Sequence, residues 1–257
     1  MRAEIVGNRG SGQAIVYVPG IDGTGELLLG TAGRLEASFH LLRLSYHDEG
    51  MPGSAQLYER LADSVVECMT AARMERAILL AESFGGGVAL QVALRHPERV
   101  QAMCLVNTFA WYPSRLRVRL GAALVPFAPG WLLRVGRVHL ASRWLFRPRK
   151  DPVAEASFRK VLPGFARGGY ATRMQAIPHL DLRGALPQVP MRCELYASSD
   201  DRVVPSTETM ATLAAGLPNA ELHTLPRANH LVLPLSEEPW PERLQTLAEA
   251  TGSEGSR

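Results

Sequence analysis

RAILLAESFGGGVALQVALRHP, residues 76–97, is the stretch that decides the fold. Its first eight residues form a nearly continuous apolar run, which is typical of a strand buried on both faces of a parallel sheet. Residues 85–97 follow a helical pattern, and Pro97 marks its end because proline cannot continue a helix. The stretch therefore predicts a buried strand that turns into a helix at Ser83.

The same alternation of strand and helix extends along the rest of the chain. Further strand patterns are at 14–20, 40–46, 100–108, 191–199 and 220–226, and helical patterns are at 54–72, 206–215 and about 236–250. Strands that alternate with helices predict a mostly parallel, doubly wound α/β sheet. The length of 257 residues is near the upper size of one domain.

The composition excludes several classes of protein. Hydrophobic residues make up 46% of the chain and charged residues 21%, which excludes disordered, collagen-like and coiled-coil proteins. Cys68, Cys104 and Cys193 lie in separate apolar stretches, so we expect buried reduced thiols rather than disulfides or a cysteine zinc site. The first residues lack the pattern of a secretory signal, and no apolar stretch reaches the roughly 20 residues of a membrane span. We therefore expect a soluble, cytoplasmic protein.

Ser83 occupies the predicted turn between strand and helix. A nucleophilic serine on such a turn needs small residues two positions before and after it, and Ala81 and Gly85 meet this need. The pattern departs from Gly-x-Ser-x-Gly by one methyl group at its first position. The N-terminus of the next helix would direct N–H groups toward the negative charge that develops in acyl transfer. The alternative is that Ser83 is an ordinary N-cap.

A glycine-rich segment, VPGIDGTG at 18–25, follows the first predicted strand. Its glycines allow backbone N–H groups to converge on a small anion. A phosphate-binding loop is the alternative, but the segment has neither the spacing of G-x-G-x-x-G nor the lysine of a P-loop. Together with a nucleophilic serine, an oxyanion hole explains the segment better.

An acid and a histidine follow the last two predicted strands. A serine hydroxyl becomes a good nucleophile when an imidazole takes its proton, and that imidazole needs a carboxylate on its other nitrogen. His230 and either Asp200 or Asp201 supply these groups. The order Ser83, Asp201, His230 is the order that α/β-hydrolases use. Asp200 is the alternative acid, and the pattern Asp-x-Val-Val-Pro favours Asp201.

These motifs resemble the α/β-hydrolase superfamily. More narrowly, residues 19–25 and 82–86 are similar to the hydrolase part of plant esterase/lipase/thioesterase proteins, which include the phytyl ester synthases of plastids. The resemblance implies Ser83 as nucleophile, Asp201 as acid and His230 as base. It also implies that the oxyanion is bound by the backbone N–H groups of Phe84 and Ile21. No His here is followed by the Asp of H-x-x-x-x-D, so the acyltransferase domain of the longer members is not implied.

Residues 110–180 differ chemically from the rest of the chain. They hold 13 Arg or Lys against two acidic residues, Asp151 and Glu155. We expect them to form a helical lid inserted into an α/β-hydrolase core of residues 1–109 and 181–257. An apolar helical stripe would cover the acyl chain of a substrate: Leu116, Leu120, Leu124, Phe127 and Trp131. The basic side chains suit contact with an anionic membrane surface, and simple solvation of the outer face is the alternative.

The sequence thus predicts a serine hydrolase that cleaves carboxylic esters or thioesters with an apolar acyl chain. The reaction needs no cofactor, and the histidines form no spaced set of metal ligands. The expected partner is a small-molecule or lipid ester; the basic segment carries no recognised nucleic-acid motif. Two alternatives are an acyltransferase that uses the same triad and a non-catalytic ligand-binding protein of this fold.

Overall fold

A seven-stranded sheet forms the centre of the computed structural model, which describes residues 2–47, 56–113, 145–149, 151–161 and 167–252. The strands are β1 (Arg2–Arg9), β2 (Ala14–Val18), β3 (His40–His47), β4 (Ala77–Glu82), β5 (Val100–Val106), β6 (Arg192–Ser198) and β7 (Ala220–Leu225). Their spatial order is β1-β3-β2-β4-β5-β6-β7. The β1–β3 pair is antiparallel and every other pair is parallel. The predicted α/β-hydrolase fold with a mostly parallel sheet is confirmed.

Helices cover both faces of this sheet. They are α1 (Gly30–Glu36), α2 (Gln56–Ala71), α3 (Phe84–Arg95), α4 (Pro152–Val161), α5 (Arg167–Ala176), α6 (Ser206–Gly216) and α7 (Trp240–Gly252). One apolar core joins the sheet to α2, α3 and α6, and a second joins it to α1, α4 and α7. Successive residues of β4 alternate between the two cores, which is why all six of its positions are buried and nearly all are apolar.

Two elements have no counterpart among the predicted ones, and each has a physical reason. Strand β1 lies at the sheet edge, and most of its side chains are exposed or half-buried, so it lacks the apolar pattern of a core strand. Helix α1 has seven residues, two of which are glycines, so its helical pattern is weak.

Helix α7 begins at Trp240 rather than near 236. Cys68, Cys104 and Cys193 are buried free thiols, as expected.

The ends of the segment predicted as a lid lie next to each other. Trp111 and Asp181 form an antiparallel bridge, so the chain leaves and re-enters the core at one place. Phe146 and Phe158 pack edge to face within the second core. The five residues of the predicted stripe lie outside the described residues: Leu116, Leu120, Leu124, Phe127 and Trp131. Of the helices that the structure describes, none is both long enough and apolar enough to cross a membrane.

The parallel strands all end at the same edge of the sheet. The six strands β2 to β7 have their carboxyl ends there, so the chain that follows each of them lies at this edge. The glycine-rich segment after β2, Ser83 after β4, Asp201 after β6 and His230 after β7 are consequently placed on one side of the molecule. The fold therefore brings every residue of the predicted triad to one edge.

Candidate active site

Ser83 adopts a backbone conformation that is rare for residues other than glycine. Its φ is 52° and its ψ is −123°, and such strain is kept only where the surroundings enforce it. The Ser83 N–H donates to the Val106 carbonyl at 3.0 Å, and Thr108 Oγ1 donates to the Ser83 carbonyl at 2.5 Å. Among the described contacts, its side chain makes no N-cap hydrogen bond. The geometry therefore favours the nucleophile interpretation over the N-cap alternative.

The first turn of α3 packs closely against neighbouring parts of the chain, which leaves room only for glycine at positions 85 and 86. A Cβ at Gly85 would overlap the carbonyl oxygens of Val18 and Pro19, and a Cβ at Gly86 would overlap the Thr108 side chain. No larger residue than glycine fits at position 85, because the chain at the end of β2 passes directly beside it. This close approach places the glycine-rich segment next to the turn that carries Ser83.

His230 is hydrogen-bonded to Asp201. The distance from His230 Nδ1 to Asp201 Oδ2 is 2.8 Å, and the side chains are 9% and 0% exposed. Asp201 also accepts the N–H groups of Val203 at 2.8 Å and Val204 at 3.0 Å, and the Ser206 hydroxyl at 2.5 Å. Four hydrogen bonds therefore fix the carboxylate, and the carboxylate orients the imidazole ring through its Nδ1 atom.

The charges of this pair shift the pKa of each partner in opposite directions. Burial favours neutral Asp201, but the charge of His230 and the hydrogen bonds from His230 and Ser206 outweigh it and lower the Asp201 pKa. Burial also disfavours charged His230, yet the charge and hydrogen bond of Asp201, together with the charge of Glu82, raise its pKa. The pair is thus arranged to stabilise an imidazolium, as a general base requires after it takes a proton.

Asp200, the alternative acid, does not meet the histidine. Its side chain is exposed and accepts a hydrogen bond from Ser199 Oγ at 2.9 Å. The structure pairs His230 with Asp201 instead.

Asn107, which the sequence analysis did not single out, connects the loops of the site. Its Nδ2 donates to the His230 carbonyl at 2.8 Å and to Ser198 Oγ at 2.8 Å, and its Oδ1 accepts the Ser198 N–H at 2.8 Å. Asn229 Oδ1 in turn accepts the N–H groups of Arg202 and His230. The signal that could have found Asn107 is its place directly after β5, at the edge where the other strands end.

The glycine-rich segment lies beside Ser83. A Cβ added to Gly20 would lie 3.6 Å from Ser83 Cβ. The Gly23 N–H donates to the Gly20 carbonyl at 3.1 Å and closes a tight turn around Ile21. Phe84 begins α3 and stacks on Tyr58 with ring centroids 4.6 Å apart. Its N–H belongs to the first helical turn, where N–H groups lack intrahelical partners.

Two buried acids, Asp22 and Glu82, lie at this edge of the sheet, and sequence reasoning gave neither a role. Tyr17 donates its hydroxyl to Glu82, and burial raises the Glu82 pKa to about 7. Asp22 Oδ2 accepts the N–H and hydroxyl of Thr24, and burial raises the Asp22 pKa. Both acids thus hold protons more strongly than exposed carboxyls do, and the charge on Glu82 contributes to the basicity of His230.

One group of side chains in the described part of the chain has the spacing of metal ligands. Glu194, Glu221 and His223 present ligand atoms within 4.8 Å of one another on β6 and β7. Arg192 forms ion pairs with both carboxylates, at 2.7 and 2.9 Å. The His223 ring also stacks on Tyr196, so the group is organised as an ion-pair network on the sheet.

Comparisons with known proteins show which family of proteins the chain resembles. A family model described as the alpha/beta hydrolase family matches residues 15–242. A 2-hydroxymuconate semialdehyde hydrolase of Pseudomonas putida is 26% identical over 232 residues, which is 86% of this chain and 78% of that protein.

Solved structures show the same fold. A hydrolase from Pseudomonas aeruginosa PA01 has a TM-score of 0.77 at 24% identity and covers 97% of this chain and 92% of its own. The enol-lactonase from Burkholderia xenovorans LB400 has a TM-score of 0.78 at 22% identity, with coverages of 98% and 96%. These relatives are bacterial hydrolases. The family model supports the superfamily part of the resemblance, and the narrower likeness to plant phytyl ester synthases is not shown.

Proposed function

The chain belongs to the alpha/beta hydrolase family, and from this premise we propose that it is a serine hydrolase with Ser83, His230 and Asp201 as its catalytic triad. Its proposed substrates are carboxylic esters or thioesters with an apolar acyl chain. The observation that carries the proposal is the hydrogen bond between His230 Nδ1 and the fully buried Asp201 carboxylate, at the sheet edge where Ser83 occupies a strained turn.

In the proposed reaction Ser83 is the nucleophile and His230 is the base. His230 Nε2 takes the hydroxyl proton while Ser83 Oγ attacks the carbonyl carbon and forms a tetrahedral oxyanion. The N–H groups of Phe84 and Ile21 stabilise the negative charge on that oxygen. The imidazolium then protonates the leaving alcohol or thiol, and the acyl group stays on Ser83. Water, deprotonated by His230, releases the acid and restores the serine.

The choice of ester chemistry rests on the triad, and the choice of acyl chain rests on the sequence of the inserted segment. Each methylene group that leaves water contributes about 0.8 kcal/mol. We therefore expect kcat/KM to rise from acetyl to medium and long acyl chains. An acetyl preference would contradict the apolar-chain part of the proposal and leave the triad in place.

The test is covalent labelling by a fluorophosphonate, combined with turnover of p-nitrophenyl esters and acyl-CoAs of graded length. The wild type should be labelled, and Ser83→Ala should lose both labelling and turnover while it keeps its melting temperature. Alanine fits because the turn accepts a small side chain. Equal labelling of both proteins would refute Ser83 as nucleophile. A labelled protein that transfers acyl groups to an added alcohol, without releasing acid, would be an acyltransferase.

A further inference from the structure

Arg173 is a buried charge that reaches from α5 to the glycine-rich segment. The residue is 1% exposed. Its Nε donates to the Ile21 carbonyl at 2.8 Å, and its Nη2 donates to the Asp22 carbonyl at 3.1 Å. Burial of a charged group is costly unless hydrogen bonds compensate for the lost water. Its hydrogen bonds to two backbone carbonyls therefore compensate for its burial. Both carbonyls belong to the segment that carries the candidate oxyanion donor.

The second of these bonds begins a chain of hydrogen-bonded peptide groups. The Asp22 carbonyl and the Gly23 N–H belong to one peptide group, and that N–H donates to the Gly20 carbonyl at 3.1 Å. The Gly20 carbonyl and the Ile21 N–H belong to the next peptide group in the chain of bonds. Hydrogen bonds in such a series polarise one another. The positive charge of Arg173 thus acts, through two peptide groups, on the N–H of Ile21.

The segment is shaped to receive this guanidinium. Gly23 has a φ of +67°, and a Cβ there would lie 2.8 Å from Arg173 Cζ. The Arg173 guanidinium also lies over the Tyr46 ring, 5.7 Å from its centroid. Tyr46 holds the same segment from the other side, since its N–H donates to Gly23 O at 2.7 Å and its hydroxyl to Pro19 O at 3.0 Å. The turn is therefore clamped between α5 and β3.

We propose that Arg173 is a positioning residue for the oxyanion hole. It orients and polarises the peptide group that carries the Ile21 N–H. The inference rests on the proposed function. A planar guanidinium can bond two adjacent carbonyls at once, whereas an ammonium is a point charge that does not reproduce this fork. The contribution is made in the transition state, when charge develops on the substrate oxygen, so its loss lowers kcat rather than raising KM.

The experiment compares Arg173→Met and Arg173→Lys with Arg99→Met as a matched control. Arg99 donates in the same way to two backbone carbonyls, Glu75 O at 2.7 Å and Met74 O at 2.9 Å, at the opposite edge of the sheet. We measure kcat and KM with a short p-nitrophenyl ester, and the inhibition constant of a boronic acid that forms a tetrahedral anion on serine.

Arg173→Met should lower kcat by about 10- to 100-fold, below the 10²–10³-fold loss of a complete oxyanion donor, with KM within about threefold of wild type. The boronic acid should bind weaker by the same factor as kcat falls. Arg173→Lys should retain an intermediate kcat because it keeps the charge.

Two outcomes overturn the inference. One is a fall in kcat no larger than that of Arg99→Met. The other is a rise in KM at constant kcat, because it would mean that Arg173 acts in substrate binding. Ser83→Ala distinguishes this failure from failure of the proposed function: a protein that turns over the ester without Ser83 refutes both, whereas Ser83-dependent turnover that is insensitive to Arg173 refutes the positioning role alone.

Discussion

Replacing Asp201 by asparagine tests the central hydrogen bond of the site. The carboxylate accepts two backbone N–H groups at Oδ1, and the Ser206 hydroxyl and His230 Nδ1 at Oδ2. An asparagine oxygen can occupy only one of these places. If its NH₂ group faced the two N–H groups, two partly buried donors would lose their acceptor, at up to about 1–3 kcal/mol each. The amide oxygen therefore stays at the Oδ1 position, and the NH₂ group faces His230.

This orientation determines the size of the effect. An NH₂ group beside Nδ1 makes that nitrogen an acceptor, so the ring proton moves to Nε2. A protonated Nε2 cannot take the proton of Ser83. Loss of the correct tautomer costs about 10⁴-fold in kcat in a serine triad, which corresponds to about 5.4 kcal/mol of activation free energy. The fold should survive, because the Ser206 hydroxyl can rotate and accept from the new NH₂ group.

The assay is kcat/KM on a short p-nitrophenyl ester, with Asp200→Asn as the matched control. Asp200 is the neighbouring, exposed acid, and among the described contacts its carboxylate bonds only Ser199. Its change should alter kcat/KM by less than about threefold, as is usual for an exposed residue that does not touch the reacting groups. A fall of less than tenfold in Asp201→Asn, or a larger fall in Asp200→Asn, would refute the reasoning.

Two further predictions concern the turn of the nucleophile and the pH dependence. Gly85→Ala should destabilise the protein by about 1–3 kcal/mol and slow fluorophosphonate labelling, because its Cβ would overlap two backbone carbonyls. Gly33→Ala is the control: no atom lies within 4 Å of the added Cβ, so this change should raise the melting temperature slightly. Since the proposed mechanism needs neutral His230, kcat/KM should fall as pH drops through its raised pKa. Glu82→Gln removes a charge that raises this pKa, so the acid limb should move to lower pH by less than about one unit; a move to higher pH would contradict the assignment.

Local patterns explain how much of the fold and site could be predicted from sequence. The strand at 76–83 is apolar because both faces of β4 are buried, and the turn at Ser83 needs small neighbours within the same short stretch. Asp201 and His230 follow strands that end at the same edge as β4, so their order along the chain was enough to associate them. In each case the signal lies within a few residues of the group it identifies.

The residues that sequence reasoning missed depend on contacts between distant parts of the chain. Asn107 bonds residues 91 and 123 positions away, and Arg173 bonds residues more than 150 positions away. Nothing near Arg173 in sequence distinguishes it from the other basic residues of its segment. Its burial follows from how α5 packs on the glycine-rich segment, which is a property of the tertiary structure.

The end of β5 relates the parts of the site to one another. Val106 accepts the N–H of Ser83, and Thr108 donates to the Ser83 carbonyl. Between these two residues, Asn107 holds the histidine loop through the His230 carbonyl and the end of β6 through Ser198. Three consecutive residues therefore connect the turn of Ser83, the strand that precedes Asp201 and the loop of His230. Because β5 lies inside the sheet between β4 and β6, with nearly all of its residues buried, the residues of the proposed triad are held by a strand of the core and not by loops alone.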